Sequence, residues 1–224
     1  MMTSFRKIAV LLLLLSVAFT PIWGVTVEGT NIDFPGLNVG DVIEFGNYEQ
    51  DNYFENGPEP IEWIVLEIAD EKAMIISKYG LDAVQFHNIV TSYNEPVNWE
   101  ISSMRIWLNQ IFYENAFSEA EKDWIVPSYL EDDSADRIFL LSVKEANAYL
   151  NKENRHCQAT PYAKSKKIWI GYDGNCWWWL RTPGEQHDFV THIGTEGDIH
   201  IYGNRATAKD GVVRPALWLN LKEY

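Results

Sequence analysis

The chain has 224 residues, 46 % of them hydrophobic and 14 % aromatic, which is too rich in aromatics for a disordered chain and long enough for a domain with a sizeable core. Its formal net charge of −14 repels phosphate backbones and anionic lipid, so nucleic-acid binding, which draws its affinity from Lys and Arg on phosphates, is excluded as a reading. No Gly-x-Ser-x-Gly elbow, His-Glu-x-x-His zinc helix, P-loop or dinucleotide glycine fingerprint occurs, which removes the enzyme classes with the loudest local signatures.

Residues 1–24 read as a secretory signal peptide, with Arg6 and Lys7 as its charged start, an apolar run from Ile8 through Phe19, and Pro21 breaking that run before Gly24. The run falls short of the ~20 apolar residues a bilayer span needs, so its removal leaves a secreted or extracytoplasmic chain with no membrane span. Residues 25–38 form a polar N-terminal extension, and one globular domain is placed at 39–224. The domain opens on a short strand, Val42 to Gly46, followed by an acidic Gly/Pro loop from Asn47 to Pro60. Two β-branched runs, Ile61–Ile68 and Ala73–Lys78, joined at Asp70-Glu71, predict a hairpin. Tyr79 to Val97 has no period and is expected to be an irregular surface loop.

From Ser102 the period changes to 3.6. Met104, Trp107, Leu108, Ile111 and Phe112 predict one apolar stripe of an amphipathic helix. Ser118 with Glu121 and Ser142 with Glu145 match the capping box and should start short helices, separated by the strand-like Ile138–Leu141. Thr160-Pro161 opens another helical turn. Beyond Ile168 the chain becomes β: Ile168–Ile170, Trp177–Arg181, Asp188–Ile193, Asp198–Tyr202 and Val212–Asn220, with turn residues between. An N-terminal hairpin and helices followed by a Trp-rich antiparallel meander make the class α+β.

Trp177, Trp178 and Trp179 are the densest aromatic surface in the chain. In a strand Trp177 and Trp179 share one face and Trp178 and Leu180 the other, so the triplet is either core on both sides or core on one and a ligand platform on the other. Arg181 and Arg214 punctuate apolar strands, where they either brace loops through carboxylates and carbonyls or contact a ligand anion. Trp177, Trp178, Trp179, Arg181 and Arg214 are therefore the candidate ligand-binding residues. Cys157 and Cys176 are the chain's two cysteines; in an exported protein they form either one bridge, stabilising by roughly 3 kcal/mol, or two buried thiols.

His187, His192 and His200 invite a metal reading. With a turn at Gly194–Gly197, Ile193 pairs with Asp198, which places His192 opposite Ile199 and sets His192 and His200 on different faces. No metal site is expected on that register. The acids Glu131, Asp132, Asp133 and Asp136, and Asp51, Glu55 and Glu59 in the first loop, lack EF-hand spacing and read as solvated faces, with calcium left open and no other cofactor expected.

Several stretches occur in a recognisable order: Cys176–Gly184, Val213–Trp218, Glu62–Leu66 followed by Ile75–Asp82, Trp107-Leu108-Asn109, and Ala116–Glu119. Together they resemble a bacterial family of unknown function, numbered 6273, over roughly Val39 to Leu221. The Trp-rich strand, hairpin and closing Val-Arg-Pro also resemble the C-type-lectin-like fold, including its variants in formylglycine-generating enzymes. That resemblance puts Arg214 on the closing strand and Trp177 to Trp179 on a central strand of the second lobe. The Glu-Pro-Asn calcium tripeptide of sugar-binding lectins is not matched, since Glu95-Pro96 runs on to Val97. The paired thiols that hold copper in some formylglycine-generating enzymes have different flanking residues.

These features point to an exported, non-catalytic binding module that recognises a glycan or an envelope protein. The alternative is an enzyme, either a carboxylate-dependent hydrolase, whose acids have no fixed spacing, or a relative of the formylglycine-generating oxidases.

Overall fold

The computed structural model describes residues 36–130 and 135–221. The expected signal peptide, most of the N-terminal extension and the acids Glu131, Asp132 and Asp133 lie outside the described residues. The class is α+β with antiparallel sheets.

Strands β1 (Val42–Tyr48), β2 (Glu59–Ala69) and β3 (Lys72–Ser77) form the first sheet in sequence order. The β2–β3 turn is Asp70-Glu71, both at positive φ (50° and 58°), the tight two-residue geometry whose twist matches the flanking strands. On β2, Ile61, Trp63 and Val65 alternate inward as period 2 requires, while β3 is buried from Ala73 to Ser77 and so lies in the middle of the sheet.

Ser102 caps the following helix by accepting from the Arg105 amide at 3.1 Å. The helix runs α over Ser103–Ile106, π over Trp107–Phe112, and α again over Tyr113–Ala116. The wider π turn keeps Met104, Leu108 and Phe112 on one buried line and rotates Trp107 and Ile111 outward, so the expected stripe is narrower than its 3.6 period suggested. Asn109 occupies the junction with the next segment: its Oδ1 accepts from the Arg137 and Ile138 amides, and its Nδ2 donates to the Ile138 carbonyl at 2.8 Å. Phe117, just beyond the helix, meets Phe45, Trp63 and Phe112, which seats helix on sheet.

Both predicted capping boxes form, starting Glu119–Lys122 and Val143–Tyr149, and Thr160 caps Pro161–Ser165. Short β4 (Ile125–Val126) and the two-residue pair β5 (Ser128–Tyr129) and β6 (Ala135–Asp136) lie between the first two. Ile138–Leu141 is wholly buried, although it pairs only through the single bridge Phe139–Ala216. The segment 79–97 is irregular as expected but is not a surface loop, because Leu81, Phe86 and Val97 are buried core residues.

The second sheet is the meander β7 (Trp178–Pro183), β8 (Phe189–Ile193) and β9 (Ile199–Arg205). The last strand, β10 (Ala216–Asn220), does not continue it. β10 inserts into the first sheet between β3 and β4, with Ala216 opposite Ile76 and Leu219 opposite both Ala73 and Ile125. Of the five β segments expected beyond Ile168, three form the meander: Ile168–Ile170 makes a single bridge, Ile170 to Cys176, and the buried Ala216, Leu217 and Leu219 of β10 find their cover beside β3. Among the described residues no helix is long and apolar enough to cross a membrane.

Candidate functional site

The tryptophan triplet is core. Trp178 and Trp179 have no exposed surface and Trp177 retains 6 %. Each of the two inner indoles is satisfied: Trp178 Nε1 donates to the Arg155 carbonyl at 2.9 Å and Trp179 Nε1 to the Val84 carbonyl at 3.2 Å. The side chains alternate as period 2 demands, with Trp177 and Trp179 in edge contact at 4.6 Å and Trp178 turned to the other side under Arg214. As ligand platforms, Trp178 and Trp179 are thus corrected to packing residues.

Arg181 and Arg214 are also interior, at 4 % and 1 % exposure. Arg181 forms a two-pronged pair with Glu145, the capping-box residue of the helix Val143–Tyr149, and donates to the Leu140 carbonyl at 2.7 Å. Arg214 donates Nε to the Ser77 carbonyl at 2.7 Å and Nη1 to the Asn154 carbonyl at 3.3 Å, and stacks on Trp178 at 5.1 Å. Both brace loops. Arg181 also reaches a cavity of about 250 Å³ beside Trp99 and Pro183.

Cys157 and Cys176 are free thiols, both buried, with the Cys176 amide and thiol each donating to the Cys157 carbonyl at 2.8 and 3.1 Å. The bridge left open by the sequence is not formed in this structure.

The one edge of the triplet that meets solvent opens into a cleft of about 340 Å³ between Trp169 and the β8–β9 hairpin. Trp169 is 61 % exposed and its amide is anchored to the Asp210 carbonyl at 2.8 Å. Its loop closes on itself through the Ile170–Cys176 bridge, and Gly171 lies so near the hairpin turn that a Cβ there would stand 2.9 Å from that of Thr195. Close packing at this glycine sets the width of the cleft.

The register of the hairpin differs from the expected one. Ile193 pairs with Ile199 and His192 with His200. The Gly194 amide bonds the Asp198 carbonyl and the Gly197 amide bonds the Gly194 carbonyl, with Gly197 at φ 76°. This is a three-residue loop with a left-handed glycine as its bulge, and the extra residue slides β9 by one. Both histidines consequently share a face, their rings stacked 4.7 Å apart and 7° from parallel. Trp177 meets His192 edge-on at 5.1 Å, so an aromatic ladder runs from Phe86 through Trp179, Trp177 and His192 to His200 at the surface.

Burial first, and the neighbouring His200 second, lower His192 to a pKa of about 4, so it is neutral near pH 7. Its Nδ1 is buried without a hydrogen-bond partner. Lone pairs of parallel imidazoles point along parallel planes and do not converge on one ion, so the shared face does not make this pair a chelate. His187 lies elsewhere, against Tyr93. Thr195, Glu196, Asp198 and Asn204 complete the cleft wall, with Asp198 paired to Lys152 at 2.9 Å. The hydrogen bond from Lys152 leads the causes that hold the Asp198 carboxyl below the usual range.

The expected acidic groups resolve into local structure. Asp136 is buried rather than solvated, held by Arg105 at 2.8 Å and Trp99 Nε1 at 2.7 Å. Glu49, Asp51 and Glu59 bring ligand atoms within 4.8 Å of one another, while Asp51 accepts from the Tyr53 amide and Glu59 from the Gln50 amide. Glu55 accepts from the Tyr53 hydroxyl.

Residues 70–221 match the model of a family described as a domain of unknown function, DUF6273. The chain belongs to this family. The DUF6273 match begins at the β2–β3 turn, so β1 and β2, which the resemblance was expected to include from Val39 onward, lie outside it although they complete the sheet around β3. No curated protein and no solved structure matches the chain.

Trp169 and the two hairpin histidines are the site residues that sequence reasoning missed. Nothing local marked Trp169, which stands between Ile168 and Ile170 in a stretch that reads as an apolar strand. The histidines were set aside because nothing local marked Gly197 as a bulge.

Proposed function

We propose that this DUF6273 chain is an exported, non-catalytic binding module of C-type-lectin-like architecture that takes a carbohydrate in the Trp169 cleft. The observation that carries the reading is the pairing of an exposed indole with a wall of hydrogen-bonding side chains, His192, His200, Asp198, Thr195 and Asn204. A sugar ring offers an apolar face to stack and a hydroxyl edge to bond, and this cleft supplies a partner for each. The orphaned Nδ1 of His192 adds a buried polar atom for a ligand hydroxyl to satisfy. The wall carries the acids Glu196 and Asp198 and the neutral imidazole of His192, which suits neutral or amino sugars over acidic ones.

A glycan array probed with the full chain, and with Trp169→Ala beside it, tests the reading. Binding to a neutral or amino sugar that weakens about ten-fold or more in Trp169→Ala, equivalent to ~1.4 kcal/mol, is the expected result. Folded protein that binds no glycan, or whose binding ignores Trp169, sinks it.

A further inference from the structure

Arg214 stands between the buried Val213 and Pro215 and is itself 1 % exposed. Its guanidinium donates Nε to the Ser77 carbonyl at 2.7 Å and Nη1 to the Asn154 carbonyl at 3.3 Å, and lies over the Trp178 ring, so every partner is neutral. Among the described residues no carboxylate pairs with it, whereas Arg181, at similar depth, has Glu145. Carbonyls and an indole face orient a buried charge but do not cancel it, and such a charge is costly unless an opposite one accompanies it.

The remaining nitrogen shows where an opposite charge can come from. Nη2 has no acceptor among the described residues, and it is not one of the buried atoms closed off without a partner. Arg214 lines a cavity of about 520 Å³, a volume within the roughly 300–1,000 Å³ of pockets that enclose small molecules. Much of the wall is apolar: Ile64, Leu66 and Leu150 line it, and so do Val39 and Val42, which are 64 % and 49 % exposed. Of the other charge-bearing residues in the lining, Glu153 and His156 are exposed and Lys78 is paired to Glu62 at 2.9 Å, so Arg214 carries the buried charge that nothing in the wall cancels.

We propose that this cavity is a second ligand site, separate from the Trp169 cleft, and that it takes a small carboxylate with an apolar body, of which a medium-chain fatty acid is the simplest form. The carboxylate accepts from Arg214 Nη2 and gives the guanidinium the counter-charge that Glu145 gives Arg181. The apolar body lies along Ile64, Leu66 and Leu150 and covers Val42. An uncharged molecule of the same shape gains the apolar contact alone, and a small inorganic or two-carbon anion meets the charge but leaves the wall uncovered.

The test is isothermal titration calorimetry of the folded full chain with octanoate, its uncharged counterpart octanamide, and acetate. Octanoate is expected to bind, with octanamide and acetate each weaker by about ten-fold or more, the first for want of charge and the second for want of an apolar body. Val42→Glu puts a like charge at an exposed strand position of the lining and should weaken octanoate about three-fold or more at low salt, with a smaller effect on octanamide. Arg214→Leu, where it folds, should bring octanoate down to the octanamide level. Absence of octanoate binding, equal binding of octanoate and octanamide, or octanoate binding that Val42→Glu leaves unchanged overturns the assignment; none of these results bears on glycan binding in the Trp169 cleft.

Discussion

The surroundings of Arg181 and Arg214 lie on opposite sides of one tryptophan strand and hold the same side chain at nearly the same depth by different means. Arg181 has a carboxylate from a helix cap, so one residue, Glu145, both accepts from the Ser142 amide ahead of Val143–Tyr149 and cancels a buried charge. Arg214 has two backbone carbonyls and an indole face. The contrast teaches that burial depth does not specify how charge is compensated. His192, on the same sheet, solves the problem a third way by giving up its proton.

The comparison can be broken most sharply at Glu145. Glu145→Ala takes a carboxylate partner from the buried Arg181 guanidinium and removes a cap, and should cost about 3–5 kcal/mol in chemical denaturation. Next in size is His192. Between its lowered pKa of about 4 and the ordinary value near 6.5 the unfolded chain binds the extra proton, so stability falls as pH drops through that window, by up to about 3 kcal/mol. His192→Gln should flatten that part of the stability–pH curve; an unchanged slope would locate the acid sensitivity elsewhere. The smallest effect belongs to the cleft: Trp169→Ala should move stability by less than about 0.5 kcal/mol while weakening sugar binding, since an exposed indole contributes little to the core.

Much of the local structure was legible because its causes are local. The capping boxes at Ser118 and Ser142, the proline start at Pro161 and the helix after Ser102 follow from residues three or four apart, and all formed. The stripe on that helix was read too wide because a π turn changes the period without changing the composition. The candidate site was less legible. Trp177 was named for the right segment, but the histidine face depended on one left-handed glycine, and Trp169 stood in a stretch that read as an ordinary strand.

By itself, the sequence determined the α+β class and the alternation of Trp177, Trp178 and Trp179, which follow from composition and period; its ordered motifs carried the family resemblance, and for Arg181 and Arg214 it left loop bracing and ligand contact both open. Tertiary structure alone decided that β10 joins the first sheet instead of the meander, that a bulge brings His192 over His200, and that Arg214 meets carbonyls and an indole face where Arg181 meets a carboxylate. Those outcomes turn on which distant surfaces bury each other best, and that competition is settled only when the whole chain packs.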